Sequence, residues 1–204
     1  DSRCKGGRPR LNDDVYQFFW DRNRMVRKDL TLQNYVKGQK TSQVAMRILE
    51  RSVRCLIYLA HVMSVDADYR KVHSKQNIEQ LVESLTTCEA LYDNARKTAS
   101  DPTSLMSIYE PEICAYYLVL TANEPMQCMG FLRRLETKVL MAPQMVFAQK
   151  ILSALRDGDY IAFSKLFRRC NNLVMRCMLA ARLPRVRFRA LRNLARHSLG
   201  ITTA

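Results

Sequence analysis

Histidine, cysteine and carboxylate side chains build most active sites and metal centres, and in this chain they do not gather into a recognisable pattern. The three histidines, His61, His73 and His197, lie far apart, and none sits in a motif. Cys170 and Cys177 are seven residues apart, without the close pairing that a zinc site uses. No glycine-rich phosphate loop, nucleophile elbow or two-histidine metal motif occurs. The carboxylate pairs Asp13-Asp14 and Asp66/Asp68 fall at expected helix starts or turns, where capping accounts for them. These residues predict no catalytic site, no metal and no cofactor, which argues against an enzyme.

Arginine is the side chain present in quantity, and its chemistry is anion binding. Thirty-three Lys and Arg against 19 Asp and Glu give 33 − 19 = +14, with an isoelectric point near 9.8. The excess is unevenly placed. After Asp159 there is no acidic residue, while that stretch holds ten basic ones. Within it, Arg182, Arg185, Arg187, Arg189, Arg192 and Arg196 form a run with no carboxylate nearby in sequence. Val186, Ala190, Leu191 and Leu194 fall at helical spacing among them, so one face can bury while the arginines face out. A guanidinium donates two hydrogen bonds at once to a phosphate. The run therefore predicts binding of RNA or DNA through the backbone, without sequence preference. The rival occupant is an acidic protein surface. A membrane-surface helix fits less well, because Arg189 narrows the apolar face and no large aromatic wedge is evident.

A second charged stretch, Asp21 to Asp29, interleaves both signs. It reads as a solvated helix laced with ion pairs of a few tenths of a kcal/mol each (roughly 0.2–0.5), with a phosphate-contacting patch as the sharper alternative. Nearby Tyr16, Phe18, Phe19 and Trp20 could stack on bases, but clustering within one helix predicts core packing.

The elements that must position these residues are all helical. Apolar residues recur at three and four from Val15 to Leu30, from Val44 to Met63, and from Ile78 through Leu81, Val82, Leu85, Cys88 and Tyr92 to Ala95. Asn12 is a candidate N-cap, and Gly38 with Thr41-Ser42 marks a break and a new cap. Asp101-Pro102 opens a loop. Pro111, Pro125 and Pro143 each sit where a helix can begin, giving expected helices near 111–122, 125–141 and 143–156. Asp157-Gly158-Asp159 is a turn before helices near 160–169 and 171–182. Pro184 then interrupts the pattern ahead of a last basic helix. No run of alternating β-branched or aromatic residues suggests a strand. The expected fold is all-α, as stacked helical hairpins in the manner of an α-solenoid. Its divisions are a basic flexible arm at 1–12, a helical-hairpin domain at 13–183, and a basic helix at 184–204.

A chain of 204 residues supports one sizeable domain. Seven scattered cysteines, an odd number, suit buried thiols in a reducing compartment better than a disulfide framework. The longest apolar run, Ile113 to Ala122, has about ten residues, against about 20 for a membrane helix. No signal-peptide pattern opens the sequence. A first residue of Asp suggests a piece of a longer protein.

Several segments together resemble the Sac3/GANP family, named for the scaffold of the TREX-2 mRNA-export complex. FFWDRNRMVRKDLTLQNY (Phe18 to Tyr35) is similar to the family's aromatic-x-Asp-Arg-x-Arg-x-x-Arg-x-Asp-x-x-x-Gln signature, with Asp21, Arg22, Arg24, Arg27, Asp29 and Gln33 at its positions. ILERSVRCLIYLAHVM resembles the next family helix through Glu50, Arg54 and His61. QNIEQLVESLTTCEALYD resembles the one after it, through Gln76, Asn77, Glu79, Gln80, Leu81, Leu85 and Tyr92. EPEICAYYLVLTA is similar to the family's Glu-(aromatic or apolar)-x-x-Tyr helix, and LRDGDYIAFSKLF to its Gly-x-Tyr-x-x-Phe element. The match runs in order over most of residues 15–197. The family's usual cysteine-containing segment is absent or reduced to the stretch around Cys4.

The resemblance implies helical hairpins leading into a winged helix, together a PCI domain, with the winged helix lost or lying beyond the C-terminus. It also implies a nuclear scaffold near pores, paired with a second PCI-domain subunit and a small acidic subunit. The six matched residues of the first motif would then be structural or partner-binding. The alternative is a structural PCI-type subunit of another assembly, its basic face covered by an acidic protein partner.

Overall fold

The computed structural model describes residues 13–33, 42–103 and 105–201, and every regular element among them is helical. The all-α expectation of packed helical hairpins holds. The basic arm at 1–12, with Cys4 and the Asn12 cap, and the break at Gly38 and Thr41 lie outside the described residues. Two compact units, Asp1–Ser84 and Leu85–Ala204, divide the chain.

The first unit holds α1 (Asp13–Leu32), α2 (Ser42–Met63) and the opening turns of α3 (Ser74–Thr98). Helix α1 packs against α2. On α2 the buried residues Ala45, Leu49, Val53, Leu56 and Leu59 recur at three and four, the period that puts them on one face. A short π-helical stretch, Tyr69–His73, leads into α3. Asp66 Oδ1 accepts from the Asp68 and Tyr69 amides at 2.9 and 2.8 Å, so this carboxylate does cap a turn. The Tyr69 ring meets Tyr16 edge-on, 5.1 Å between centroids.

The aromatic cluster on α1 divides between core and surface. Tyr16 and Trp20 are buried, but Phe18 is 56% and Phe19 47% exposed. Consecutive helical positions sweep round the axis, so one buried face cannot hold all of Tyr16, Phe18, Phe19 and Trp20. The stripe on α3 is also narrower than its periodicity suggests, since Ile78 and Val82 are exposed.

The second unit holds the rest of α3 and α4 (Glu110–Leu120), α5 (Pro125–Arg134), α6 (Thr137–Leu140), α7 (Pro143–Asp157), α8 (Tyr160–Arg169) and α9 (Leu173–Ile201). Helix α4 is the apolar run noted in the sequence. It buries Ile113, Cys114, Ala115, Tyr116, Leu118 and Val119, and packs on α7 and α9. A helix hydrophobic nearly all round belongs inside a domain. Pro111, Pro125 and Pro143 sit in the first turns of their helices, as expected. Gly158 ends α7 at φ +72, a left-handed conformation that glycine adopts without penalty. Asp159 then caps α8, its Oδ1 accepting from the Ala162 amide at 2.8 Å.

Two boundaries differ from expectation. The helix expected at 125–141 breaks where Leu135 and Glu136 turn extended, and no proline or glycine marks the place. Pro184 does not interrupt α9, which runs through it. Proline in a helix interior costs about 3 kcal/mol, and here tertiary anchors lie on both sides of it. Arg182, before the proline, and Arg189, after it, are bonded to other helices.

Candidate nucleic-acid interface

Helix α9 lies against α4 and α8, with Leu179 and Ala190 buried. Leu191 and Leu194, expected on the buried face, are 65% and 52% exposed. The arginines do not form one uniform outward row. Arg182 Nη2 donates to the carbonyls of Val119 and Leu120 at 2.9 and 2.7 Å. Those carbonyls belong to the last turn of α4, where helix geometry leaves acceptors without intrahelical donors and a partial negative charge. Arg189 does the same for α7, donating from Nη1 to Leu155 O at 3.0 Å and from Nη2 to Arg156 O at 3.3 Å. Burial, and then the charge of Arg185, pull the Arg182 pKa below its usual value.

Asn123, in the turn after α4, joins the cluster. With its amide oxygen facing the guanidiniums, it accepts from Arg182 Nη1 at 2.8 Å and Arg185 Nη1 at 2.9 Å. Arg187 and Arg192 are exposed and have no ion-pair partner among the described residues. Arg196 lies on α9, but its side chain falls outside what is described. The candidate residues thus separate into structural donors (Arg182, Arg189), a shared one (Arg185) and outward charges (Arg187, Arg192).

Two hollows flank α9. One, of about 450 Å³, is bordered by Asn123, Leu155, Arg185, Phe188, Arg189 and Arg192. The other, of about 570 Å³, lies between α8 and α9. Its walls include Phe167, Leu183, Val186 and Leu191, with Arg168 and Arg187 beside them. Phe188, 68% exposed, stands among the arginines of the first hollow. The expectation that no large aromatic wedge stands on this helix overlooks this residue. Its spacing of three from Arg185 and four to Arg192 was the available signal.

A third hollow, of about 290 Å³, includes Tyr116, Phe147, Cys170 and Met175 in its walls. Beside it the Tyr116 hydroxyl donates to Glu112 and lies 3.1 Å from Asn172 Oδ1. Asn172 Nδ2 donates to Glu112 at 3.2 Å, and its Oδ1 accepts from the Met175 amide at 2.8 Å. The group ties the start of α9 to α4. Among the described residues, no three His, Cys, Asp or Glu side chains gather where they could hold a metal ion. No described helix is long and apolar enough to cross a membrane.

The six residues of the first motif occupy different settings on α1 and, for Gln33, the turn just after it. Arg27 points inward, its side chain only 10% exposed. It donates to Ser84 Oγ at 3.1 Å and Gln80 O at 3.4 Å, with Glu83 at 3.6 Å. Burial lowers its pKa, and Glu83 opposes that shift. Asn77, in a later motif, donates from α3 to Leu56 O on α2 at 3.1 Å. Asp21, Arg22, Arg24, Asp29 and Gln33 are exposed. Arg22 and Arg24 lie over the rings of Phe18 and Trp20, at 5.4 and 5.8 Å, and Asp21 accepts from Gln17 at 3.4 Å.

Closely packed helices with a one-signed, arginine-rich terminal helix define a helical protein whose distinctive chemistry lies on its surface. The chain belongs to the SAC3/GANP family, whose model matches residues 7–201, a scaffold family associated with nuclear mRNA export. It is 28% identical over 195 residues to SAC3 family protein B of Arabidopsis thaliana, covering 88% of this chain and 11% of that protein. It is 27% identical over 183 residues to Protein xmas of Drosophila melanogaster, covering 89% of this chain and 8% of that protein. The chain therefore spans a small part of the length of these relatives. No solved structure matches it.

Proposed function

We propose that this chain is a non-enzymatic scaffold segment of a nuclear mRNA-export complex of the TREX-2 kind. In this reading it pairs with a second PCI-domain subunit and a small acidic subunit near nuclear pores. It holds RNA or DNA, without sequence preference, along the basic surface of α9. The observation that carries the nucleic-acid part is the segment after Asp159, which has ten basic residues and no carboxylate. Arg187 and Arg192 stand outward on it. Neutralising several phosphates releases their counterions, so the binding falls steeply with salt.

The test is purification of the tagged chain from nuclear extract, with and without nuclease. Recovery of a second PCI-domain protein and a small acidic protein in both samples supports the export scaffold. Partners drawn only from another PCI assembly would remove the export role and leave a helical scaffold. One observation favours that second reading: the apolar hollow between α8 and α9 is bordered by Arg168 and Arg187. Such a rim suits an acidic protein partner covering the basic face.

A further inference from the structure

We infer that α9 and the turn at Asn123 form a site for one nucleotide of single-stranded nucleic acid, with the base stacked on Phe188 and its flanking phosphates on Arg185 and Arg192. The inference rests on the reading that nucleic acid binds this surface, and it specifies the strand state and the contacts.

Phe188 is 68% exposed, the most exposed aromatic ring among the described residues. Residues three and four apart on a helix lie side by side on one face. Arg185 and Arg192 therefore stand about one turn below and one turn above the ring, roughly 4.5 and 6 Å away along the axis. The arrangement is cation, aromatic face, cation, beside a hollow of about 450 Å³. That order matches phosphate, base, phosphate along a single strand.

The other two arginines of the cluster are the support. Arg182 and Arg189 spend donors on the carbonyl ends of α4 and α7. With the Asn123 amide oxygen facing it, Arg185 gives one Nη to Asn123, which fixes the guanidinium and leaves the rest of its fork to the ligand. Arg192 has no partner among the described residues. No acidic residue follows Asp159 in sequence to neutralise either.

On this face Phe188 has guanidiniums on either side, while exposed Leu191 borders the hollow on the other side of α9. A duplex is excluded by its own stacking: its base faces are covered by neighbouring bases, and a ring on a helix surface cannot reach them. Every single-stranded base offers a π-face, so the site tolerates any sequence.

Fluorescence anisotropy tests this, with a fluorescein-labelled oligouridylate and a duplex RNA of equal length as probes. F188A should weaken oligouridylate binding about tenfold and leave the duplex unchanged, because Phe188 is exposed and its loss opens no cavity. F188W should restore binding, with indole fluorescence quenched as the base stacks; Trp20 is the background. The double variant R185A/R192A should weaken both probes and flatten the salt dependence. If F188A binds oligouridylate like wild type while R185A/R192A weakens it, the stacking site is wrong and the basic-surface reading survives. If wild type binds neither probe at low salt, both fall.

Discussion

Arg189 lies across Gly158 so closely that a Cβ on the glycine would stand 3.0 Å from Arg189 Nε and 3.1 Å from its Cζ. The glycine ends α7 at φ +72, and the arginine donates to Leu155 O and Arg156 O of the same final turn. One residue thus supplies both the left-handed turn and the room for a cationic cap from a distant helix.

Gly158→Ala should therefore act twice, straining the backbone and pushing the guanidinium off its carbonyls. A loss of about 1–3 kcal/mol is expected in urea unfolding. Gly130→Ala is the control. Gly130 is inside α5, and a Cβ added to it would meet nothing within 4 Å, so alanine there should stabilise by about 0.5–1 kcal/mol.

Arg182→Ala should leave the last carbonyls of α4 without their guanidinium donor and cost about 1–3 kcal/mol. Arg182→Lys should recover little, because a point ammonium does not reproduce the planar fork that spans Val119 O, Leu120 O and Asn123. Arg187→Ala, at an exposed position, should stay within about 0.5 kcal/mol of wild type. Urea midpoints of the three variants check this. Equal losses for Arg182 and Arg187 would remove the capping role.

The contrast between those arginines marks the limit of what the sequence conveyed. Helix existence was legible because burial follows the helical period, and the prolines at 111, 125 and 143 and Gly158 carry local backbone rules. The basic run was legible as charge. Its division of labour was not, because the carbonyls that occupy Arg182 lie some sixty residues away. Pro184 misled for a related reason. A local rule predicts a break, and anchors on α4 and α7 override it. Phe18 and Phe19 show the reverse case, where composition suggests a core and the turn of the helix places them outside.

Cys114 sits in the close packing of α4, and burial first, then Glu110, push its thiol pKa well above the ordinary value. The thiolate is the reactive species. In native protein Cys114 should resist iodoacetamide, while half-buried Cys55 should be alkylated sooner. Peptide mass spectrometry over a time course reads the order, and urea should abolish the difference.

Tyr69 is buried against Tyr16, and burial raises its pKa to about 12. An unfolded tyrosine titrates near 10, at about the reference value. The unfolded chain therefore loses this proton first as pH rises. The phenol's contribution is fully present below about pH 10 and is lost between about pH 10 and 12. Its size is about 1–3 kcal/mol. The thiols of half-buried Cys55 and buried Cys114, Cys170 and Cys177, all with raised pKa, add their own alkaline losses. Tyr69→Phe should remove only the tyrosine part, giving a shallower decline of the urea midpoint across that window than wild type.

Arg27, Arg22 and Arg24 share one motif and should separate in experiment. Arg27 is nearly enclosed and donates to Ser84 Oγ and Gln80 O. Its removal leaves those acceptors without a charged donor, for a loss of about 1–3 kcal/mol. Arg22→Ala and Arg24→Ala give up only the contacts of exposed guanidiniums with the Phe18 and Trp20 rings, worth about 0.5–1 kcal/mol each. Glu83 is 67% exposed, so the Arg27–Glu83 coupling in a double-mutant cycle should be under about 1 kcal/mol. A larger coupling would make the ion pair, and not the hydrogen bonds to α3, the reason for an arginine here. A loss at Arg22 or Arg24 matching that at Arg27 would show that the motif acts in stability as a unit. The expected pattern leaves Arg22 and Arg24 as the arginines of the motif available to a partner.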